Sequence, residues 1–195
     1  EVRPISDDIF GYFVADFSGH DIKTSYLTAS VKALLQQNSA PVYQAHESMQ
    51  MINDVLVEIL PEGKYLTACY ARLNRKTRQM TVVNAGHPPV IFVPSEGSAA
   101  SIDLKGDILG IFKEVYFGSQ TIDVNPGDRF YMYSDGLIES SEKKIVWSAG
   151  SNKVAAACEK AGSIPIQEAP EQIARQLFKE NVLIDDDVVL LGIEV

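Results

Sequence analysis

Cysteine and long apolar runs are scarce in this chain of 195 residues, and each scarcity excludes a class of protein. Its 2 cysteines, Cys69 and Cys158, lie far apart in unlike surroundings, so neither a disulfide framework nor a paired-cysteine metal site is indicated. We expect both to be buried free thiols. No run approaches the roughly 20 apolar residues of a membrane span, and the first residues lack a signal-peptide layout. We therefore expect a cytoplasmic protein without a membrane partner.

Positive charge is also in short supply. The chain has 17 Lys and Arg against 26 Asp and Glu, a formal net charge of −9. Such a surface repels the phosphate backbone of nucleic acids and anionic membranes, so we expect no nucleic-acid partner. A protein or small-molecule partner is favoured. Part of the acidity can also come from carboxylates gathered to hold divalent cations.

The apolar content is sufficient for one domain. Hydrophobic residues make up 46% of the sequence, which is enough to fill a core, so we expect residues 1–195 to form a single domain. The chain begins at Glu1, and a strand-like run at residues 11–15 follows almost at once. We interpret the chain as an N-terminally trimmed, C-terminal fragment of a longer signalling protein.

Hydrophobic periodicity predicts the order of the elements. Apolar residues recur at helical spacing in four segments, at residues 22–37, 42–60, 153–161 and 170–181. Runs rich in β-forming residues predict strands at residues 11–15, 65–73, 79–85, 90–93, 115–124, 129–134 and 188–195. The order is a strand, two helices, a series of antiparallel strands, two helices and a last strand. This order predicts an α+β layered architecture.

Three aspartates lie where apolar, strand-like runs meet turns: Asp16, Asp135 and Asp186. If the last strand runs antiparallel to another, its beginning lies beside the other's end, and distant carboxylates can meet. Rigid strand ends suit a cation site, because the oxygen ligands must be held in place. The plainer alternative is turn chemistry, since aspartate favours turns through bonds to its own backbone.

Five short motifs then make the chain recognisable. They occur in one order from residue 15 to the C-terminus: Ala15-Asp-Phe-Ser-Gly-His20, Asn84-Ala-Gly-His-Pro-Pro89, Gly106-Asp-Ile-Leu-Gly110, Ser134-Asp-Gly-Leu-Ile-Glu139 and Asp185-Asp-Asp-Val188. The set resembles the motifs of the SpoIIE/RsbU-like bacterial PPM (PP2C-like) serine/threonine phosphatases. Each motif alone is modest, but five in order are specific.

The resemblance implies a PPM/PP2C-like α-β-β-α sandwich, two antiparallel sheets flanked by helices, with two Mn²⁺ or Mg²⁺ ions at one end. Asp16 would bridge both ions, the Phe17 backbone carbonyl would add an oxygen, and Asp135 and Asp186 would complete the ligands. A water shared by the ions would attack phosphorus directly. Oxygen-only ligation suits such hard cations, and coordination lowers the pKa of the water. The sequence does not decide between Asp186 and Asp187 as the ligand.

The histidines are not assigned to catalysis. His20 lies inside the first motif, but we expect no catalytic role for it. We expect His87 to fix its loop through hydrogen bonds, and His46, on a predicted helix, to be exposed.

The match departs from the family in three places. Relatives carry an acidic segment before the first motif, and Asp7 and Asp8 lie too close to that motif to be assigned to it. Asp21 replaces a glycine, and it can act as a helix N-cap. Val189 replaces a threonine, which removes a hydroxyl near the last acidic residues.

Two functions follow from this resemblance. The first is a phosphatase for phosphoserine or phosphothreonine on a regulatory partner protein, an anti-sigma-factor antagonist in a partner-switching pathway. The second is a PPM-like adaptor module of weak or absent activity. In either case an N-terminal receiver or sensor domain would control it. The sequence leaves homodimerisation open.

Overall fold

The computed structural model of the chain describes residues 1–19, 22–139, 147–178 and 187–195. The chain divides into two compact units. The first comprises Glu1–His87 and Leu104–Asp123, and the second comprises Pro88–Asp103 and Val124–Val195. Each unit contains one antiparallel sheet.

The elements of both units are numbered along the chain. They are β1 (Val2–Pro4), β2 (Ile9–Phe17), α1 (Ile22–Asn38), α2 (Ala45–Ile59), β3 (Leu66–Asn74), β4 (Gln79–Ala85), β5 (Val90–Val93), β6 (Ala100–Ile102), β7 (Gly118–Asp123), β8 (Arg129–Tyr133), α3 (Gly136–Glu139), α4 (Trp147–Lys160), a 3₁₀ turn (Ala161–Ser163), α5 (Ala169–Leu177) and β9 (Leu190–Glu194). The first sheet has the order β1-β2-β3-β4-β7, and the second has the order β6-β5-β8-β9.

Strand alternation builds the core of the first unit. Alternate residues along β2, β3 and β4 point to the same face, where α1 and α2 cover them. The buried members of this cluster are Phe13, Val31, Leu35, Ala45, Met49, Ile52, Leu56, Leu66, Ala68, Tyr70, Val83, Ala85 and Leu109. Helix α2 begins with a capping box in which Gln44 and Glu47 each bond the other's backbone.

The second unit repeats the arrangement with other helices. One face of its sheet, together with α4 and α5, forms a cluster of buried residues: Ile91, Val93, Tyr131, Tyr133, Leu137, Ile138, Val154, Ala157, Cys158, Ala161, Ala169 and Ile173. Proline lies in the first turn of α5, as the sequence predicts, where the missing N–H is tolerated. The core of this unit therefore lies between its sheet and α4 and α5.

The predicted α+β fold, with two antiparallel sheets flanked by helices, is confirmed. Both cysteines are buried free thiols, as expected. Short elements were missed, namely β1, β6 and α3. The predicted strand at residues 115–124 begins only at Gly118. The reason is that Asp107 binds the Tyr116 backbone: its N–H donates to the Tyr116 carbonyl (2.7 Å), and its Oδ2 accepts from the Tyr116 N–H (2.8 Å).

Among the described residues, no helix combines the length and apolar character that crossing a membrane requires.

Candidate functional site

Asp16 and Phe17 occupy the last two positions of β2. Asp16 pairs with Thr67 of β3, and Phe17 pairs with Leu66. Residues directly opposite in an antiparallel pair share a face, so Asp16 and Thr67 lie on the same side of the sheet. Phe13, Ala15 and Phe17 contact the core beneath α1 and α2, which places the half-buried Asp16 on the opposite face.

The Phe17 carbonyl points away from β3. The Ser18 N–H, in the same peptide unit, donates to the Tyr65 carbonyl at 3.0 Å, and the two groups of a trans peptide point in opposite directions. On the other side of β2, strand β1 pairs only with Phe10, Gly11 and Tyr12. Within the described residues, the strand ladder therefore leaves the Phe17 oxygen at an open edge, where it can act as a ligand.

The loop after β4 adds a histidine beside Thr67. The Thr67 hydroxyl and His87 Nδ1 are hydrogen-bonded at 3.0 Å. The Asn84 amide bonds the His87 backbone on both sides, accepting from its N–H (2.9 Å) and donating to its carbonyl (2.8 Å). The expectation that hydrogen bonds at His87 fix this loop is confirmed, and Asn84 supplies two of them. His46 is exposed, as expected.

The turn Gly106 to Gly110 closes the same end of the sheet. Leu109 and Leu66 exchange both backbone hydrogen bonds, at 2.9 and 3.1 Å. A Cβ on Gly106 would lie 2.0 Å from the Asn84 carbonyl oxygen, so the two motifs approach closely enough to require glycine. Three of the five motifs, separated by up to about ninety positions in sequence, thus meet around the first residues of β3.

The other two motifs meet in the second unit. Ser134 follows β8 and is buried, and its hydroxyl donates to the Asp187 carbonyl and accepts from the Val189 N–H, both at 2.9 Å. The Ser134 N–H donates to the Val189 carbonyl at 3.0 Å. The beginning of β9 therefore lies beside the end of β8, as the antiparallel argument predicts. We call these three bonds of Ser134 the Ser134 clamp. The clamp involves only backbone atoms of Val189, so a valine at this position in place of threonine leaves it intact.

Asp135 is half-buried and immediately precedes the short helix α3. Its Oδ1 accepts the Gly136 N–H at 3.0 Å, and its carbonyl accepts the Ile138 N–H at 2.8 Å. The turn chemistry that we weighed as an alternative is thus present at Asp135. It occupies one carboxylate oxygen with one bond, and a carboxylate has further acceptor positions for a cation.

The predicted ligands are distributed over both units. Asp16 and Phe17 belong to the first and Asp135 to the second, while Asp186 lies outside the described residues, as do His20 and Asp21. Asp187 is described and exposed. In the part of the chain that the structure describes, no cluster of three or more His, Cys, Asp or Glu side chains forms a metal site. That the predicted ligands converge remains a prediction.

The donors that are described fit a hard cation. Asp16 and Asp135 offer carboxylate oxygens, and Phe17 offers a carbonyl oxygen at an open strand edge. Such a set suits Mg²⁺ or Mn²⁺, since these ions prefer oxygen ligands. Both thiols are unsuited to ligation, because burial raises the pKa of Cys69 and of Cys158 to about 12 and keeps them protonated.

Sequence reasoning missed three residues whose hydrogen bonds hold these segments: Lys64, Thr67 and Ser134. The Lys64 ammonium donates to the Ser18 carbonyl at 3.1 Å. Only Ser134 could have been found from the sequence, since it lies inside a motif. Lys64 precedes β3 and Thr67 lies within it, and no sequence pattern distinguishes either residue. Only the register between β2 and β3 brings them to the first motif.

Comparison with known proteins identifies relatives of the chain. The chain is 24% identical over 149 residues to the phosphoserine phosphatase RsbP of Bacillus subtilis, covering 69% of this chain and 37% of RsbP. The chain therefore spans little more than a third of that relative.

Solved structures show the same fold. The RsbU and RsbW domains of a Mycobacterium tuberculosis protein match 96% of this chain, and 53% of that chain, with a TM-score of 0.83 at 24% identity. RsbX in complex with magnesium matches 98% of this chain, and 83% of that chain, with a TM-score of 0.71 at 18% identity. The family model described as Stage II sporulation protein E (SpoIIE) matches residues 6–195, so the chain belongs to the SpoIIE family and has its PP2C-like fold.

Proposed function

We propose that the chain is a metal-dependent protein serine/threonine phosphatase of the PPM type. Asp16, the Phe17 carbonyl, Asp135 and Asp186 would hold two Mn²⁺ or Mg²⁺ ions and are the residues on which catalysis depends. The observation that carries the proposal is the end of β2, where Asp16 is fixed by the strand ladder and the Phe17 oxygen faces an open edge. Rigid oxygen donors of this kind are what a cation site needs.

The relatives support the reaction class. RsbP is named a phosphoserine phosphatase, and RsbX is described in complex with magnesium. Activity, substrate and ligands are properties of those proteins, and we extend them to this chain because all five motifs occur in it in order.

The chemistry divides between the ions and the chain. When bound, Mg²⁺ or Mn²⁺ supplies Lewis-acid polarisation of the phosphoryl group and lowers the pKa of a coordinated water. The chain's own residues hold the carboxylates at fixed strand ends and orient the Phe17 carbonyl. Because both thiols stay protonated in the core and Ser134 is buried in its clamp, we propose direct hydrolysis without a phosphorylated protein intermediate.

The proposed substrate is a phosphoserine or phosphothreonine of a regulatory protein, an anti-sigma-factor antagonist in a partner-switching pathway. We further propose that a receiver or sensor domain controls the domain, and that it works in the cytoplasm. A net charge of −9 supports a protein partner rather than nucleic acid or an anionic membrane.

The first experiment measures hydrolysis of a phosphoserine peptide with and without Mn²⁺. Asp16→Ala and Asp135→Ala should each lower the Mn²⁺-dependent rate by at least about 100-fold, because removing a carboxylate ligand dismantles the two-metal site. The matched control is Asp54→Ala, an exposed aspartate on α2 that accepts a hydrogen bond from the Gln50 side chain, which should keep the parent rate. Equal rates in the parent and both site variants would overturn the proposal in favour of an adaptor module.

A further inference from the structure

Lys64 lies outside all five motifs, yet its side chain reaches the first of them. It precedes β3 and is half-buried, and its Nζ donates to the Ser18 carbonyl at 3.1 Å. A Cβ on Gly19, whose φ is +96°, would lie 2.7 Å from the same Nζ. The ammonium therefore packs directly against the Ser18–Gly19 peptide, two residues beyond Asp16.

Ser18 is held from three sides by two residues. Its N–H donates to the Tyr65 carbonyl (3.0 Å), its hydroxyl accepts from the Tyr65 N–H (2.9 Å), and its carbonyl accepts from Lys64. The first two bonds fix the peptide unit that carries the Phe17 carbonyl. The Lys64 bond fixes the next one, where the chain leaves the strand in a left-handed conformation.

We propose that Lys64 is a positioning residue for the cation site, which it serves by holding the Phe17-Ser18-Gly19 backbone in its ligating conformation. This inference rests on the proposed function, since it concerns the same ions. A bond from an ammonium to a carbonyl is stronger than one between neutral groups, so losing it frees the Ser18–Gly19 peptide to rotate. Rotation there transmits to the Phe17 oxygen through a single residue.

A neutral apolar side chain of the same length as Lys64 could not donate a hydrogen bond to the Ser18 carbonyl. Lys64→Met keeps the length and packing but removes the hydrogen bond, whereas Lys64→Arg keeps a charged donor. Lys76→Met is the matched control: Lys76 is exposed in the turn between β3 and β4, and the same unit of charge is lost there.

The experiment measures Mn²⁺ dissociation constants by calorimetry, together with amide hydrogen exchange of the metal-free proteins. Lys64→Met should weaken Mn²⁺ binding by about 10-fold, the lower end of the effect of outer-shell partners. It should also speed exchange at the Ser18 amide while leaving the β3 and β4 amides unchanged. Lys64→Arg should recover part of the affinity, and Lys76→Met should match the parent.

The outcomes separate this inference from the proposed function. If Lys64→Met binds Mn²⁺ as tightly as the parent, or weakens it no more than Lys76→Met does, the positioning role is overturned and the phosphatase proposal stands. If the parent itself binds no Mn²⁺, both are overturned. If circular dichroism shows that Lys64→Met does not fold, Lys64→Arg is tested instead. Mn²⁺ binding by Lys64→Arg as tight as that of the parent supports the donor role of Lys64, and complete loss of binding contradicts it.

Discussion

The two units hold their motif aspartates by different means. Asp16 lies within the nine-residue strand β2, where backbone pairing with β3 fixes it and two further motif loops pack around the same strand end. Asp135 lies beyond the last residue of β8, at the start of a four-residue helix. One buried hydroxyl, that of Ser134, joins this position to the beginning of β9.

This difference predicts that the backbone positions of Asp16 and Asp135 respond differently to nearby substitutions. A ladder of backbone hydrogen bonds does not depend on any one side chain, so substitutions beside β2 should leave the ladder in place, whereas the Ser18–Gly19 peptide beyond it is held by Lys64. The position beside Asp135 is held by one backbone bond of Ser134 and by two bonds of its hydroxyl, so one substitution removes the hydroxyl bonds together. Substitutions in matched pairs, one in each unit, can sharpen or break the comparison.

The largest effect on stability is expected from the two cores. Ile52 of α2 and Ile173 of α5 are both 0% exposed, each in the cluster of its own unit. Ile52→Ala and Ile173→Ala should each lower the free energy of unfolding by about 2–5 kcal/mol, because each leaves a cavity. Urea denaturation followed by circular dichroism measures this, and hydrogen exchange should show the greater loss of protection in the sheet of the substituted unit.

The control for the first unit is Val55→Ala on the same helix. Val55 is 37% exposed, so its truncation should change the free energy of unfolding much less than that of Ile52. Equal costs at the two positions would contradict the description of α2 as a helix with one buried face.

A smaller effect is expected from the two hydroxyls beside the aspartates. Ser134→Ala removes the two hydroxyl bonds, to Asp187 and Val189, from a buried site and should cost about 1–3 kcal/mol. Thr67→Val removes a single bond to His87 from a half-buried site and should cost about 1 kcal/mol. Thermal and urea unfolding measure both. Ser119→Ala, exposed on β7, serves as the control, and a greater cost for Thr67→Val than for Ser134→Ala would reverse the comparison.

The two buried thiols give a pH dependence at alkaline pH. Burial raises the pKa of Cys69, in the first unit, and of Cys158, in the second, from 9.0 to about 12. Between these values the unfolded chain loses thiol protons that the folded chain keeps, so stability is complete below pH 9 and falls as pH rises toward 12. Each thiol contributes at most on the order of 1 kcal/mol per pH unit in that window.

Urea unfolding at pH 8, 9 and 10 tests this dependence. The free energy of unfolding of Cys69→Ala should fall less steeply above pH 9 than that of the parent, and Cys158→Ala should behave alike. A parent and a Cys69→Ala variant with the same slope above pH 9 would show that Cys69 titrates normally in the fold.

Much of the fold follows from local pattern. Helical periodicity located α1 and α2 with small errors at their ends, and it located the start of α5, whose predicted last residues, 179–181, lie outside the described residues. The strand β5 was predicted to the residue. Short elements escaped, because the three residues of β6 and the four of α3 are too few for a period to show. The start of β7 was missed because Asp107, a residue outside the strand, binds the Tyr116 backbone.

The candidate site divides in the same way. Its motifs and the aspartates in them are properties of the sequence, since residue type and order are enough to recognise them. That Thr67 stands opposite Asp16, and that Lys64 reaches Ser18, follows from strand register, which depends on pairing between distant segments.

The sequence by itself determined the membership of the SpoIIE family, the α+β class and the acidic oxygen donors, because these depend on residue identity and local periodicity. The tertiary structure alone decided which motifs meet: three around the first residues of β3, and two at the joined ends of β8 and β9. The physical reason is that hydrogen-bond pairing acts between strands far apart in the chain, and no local pattern encodes its register.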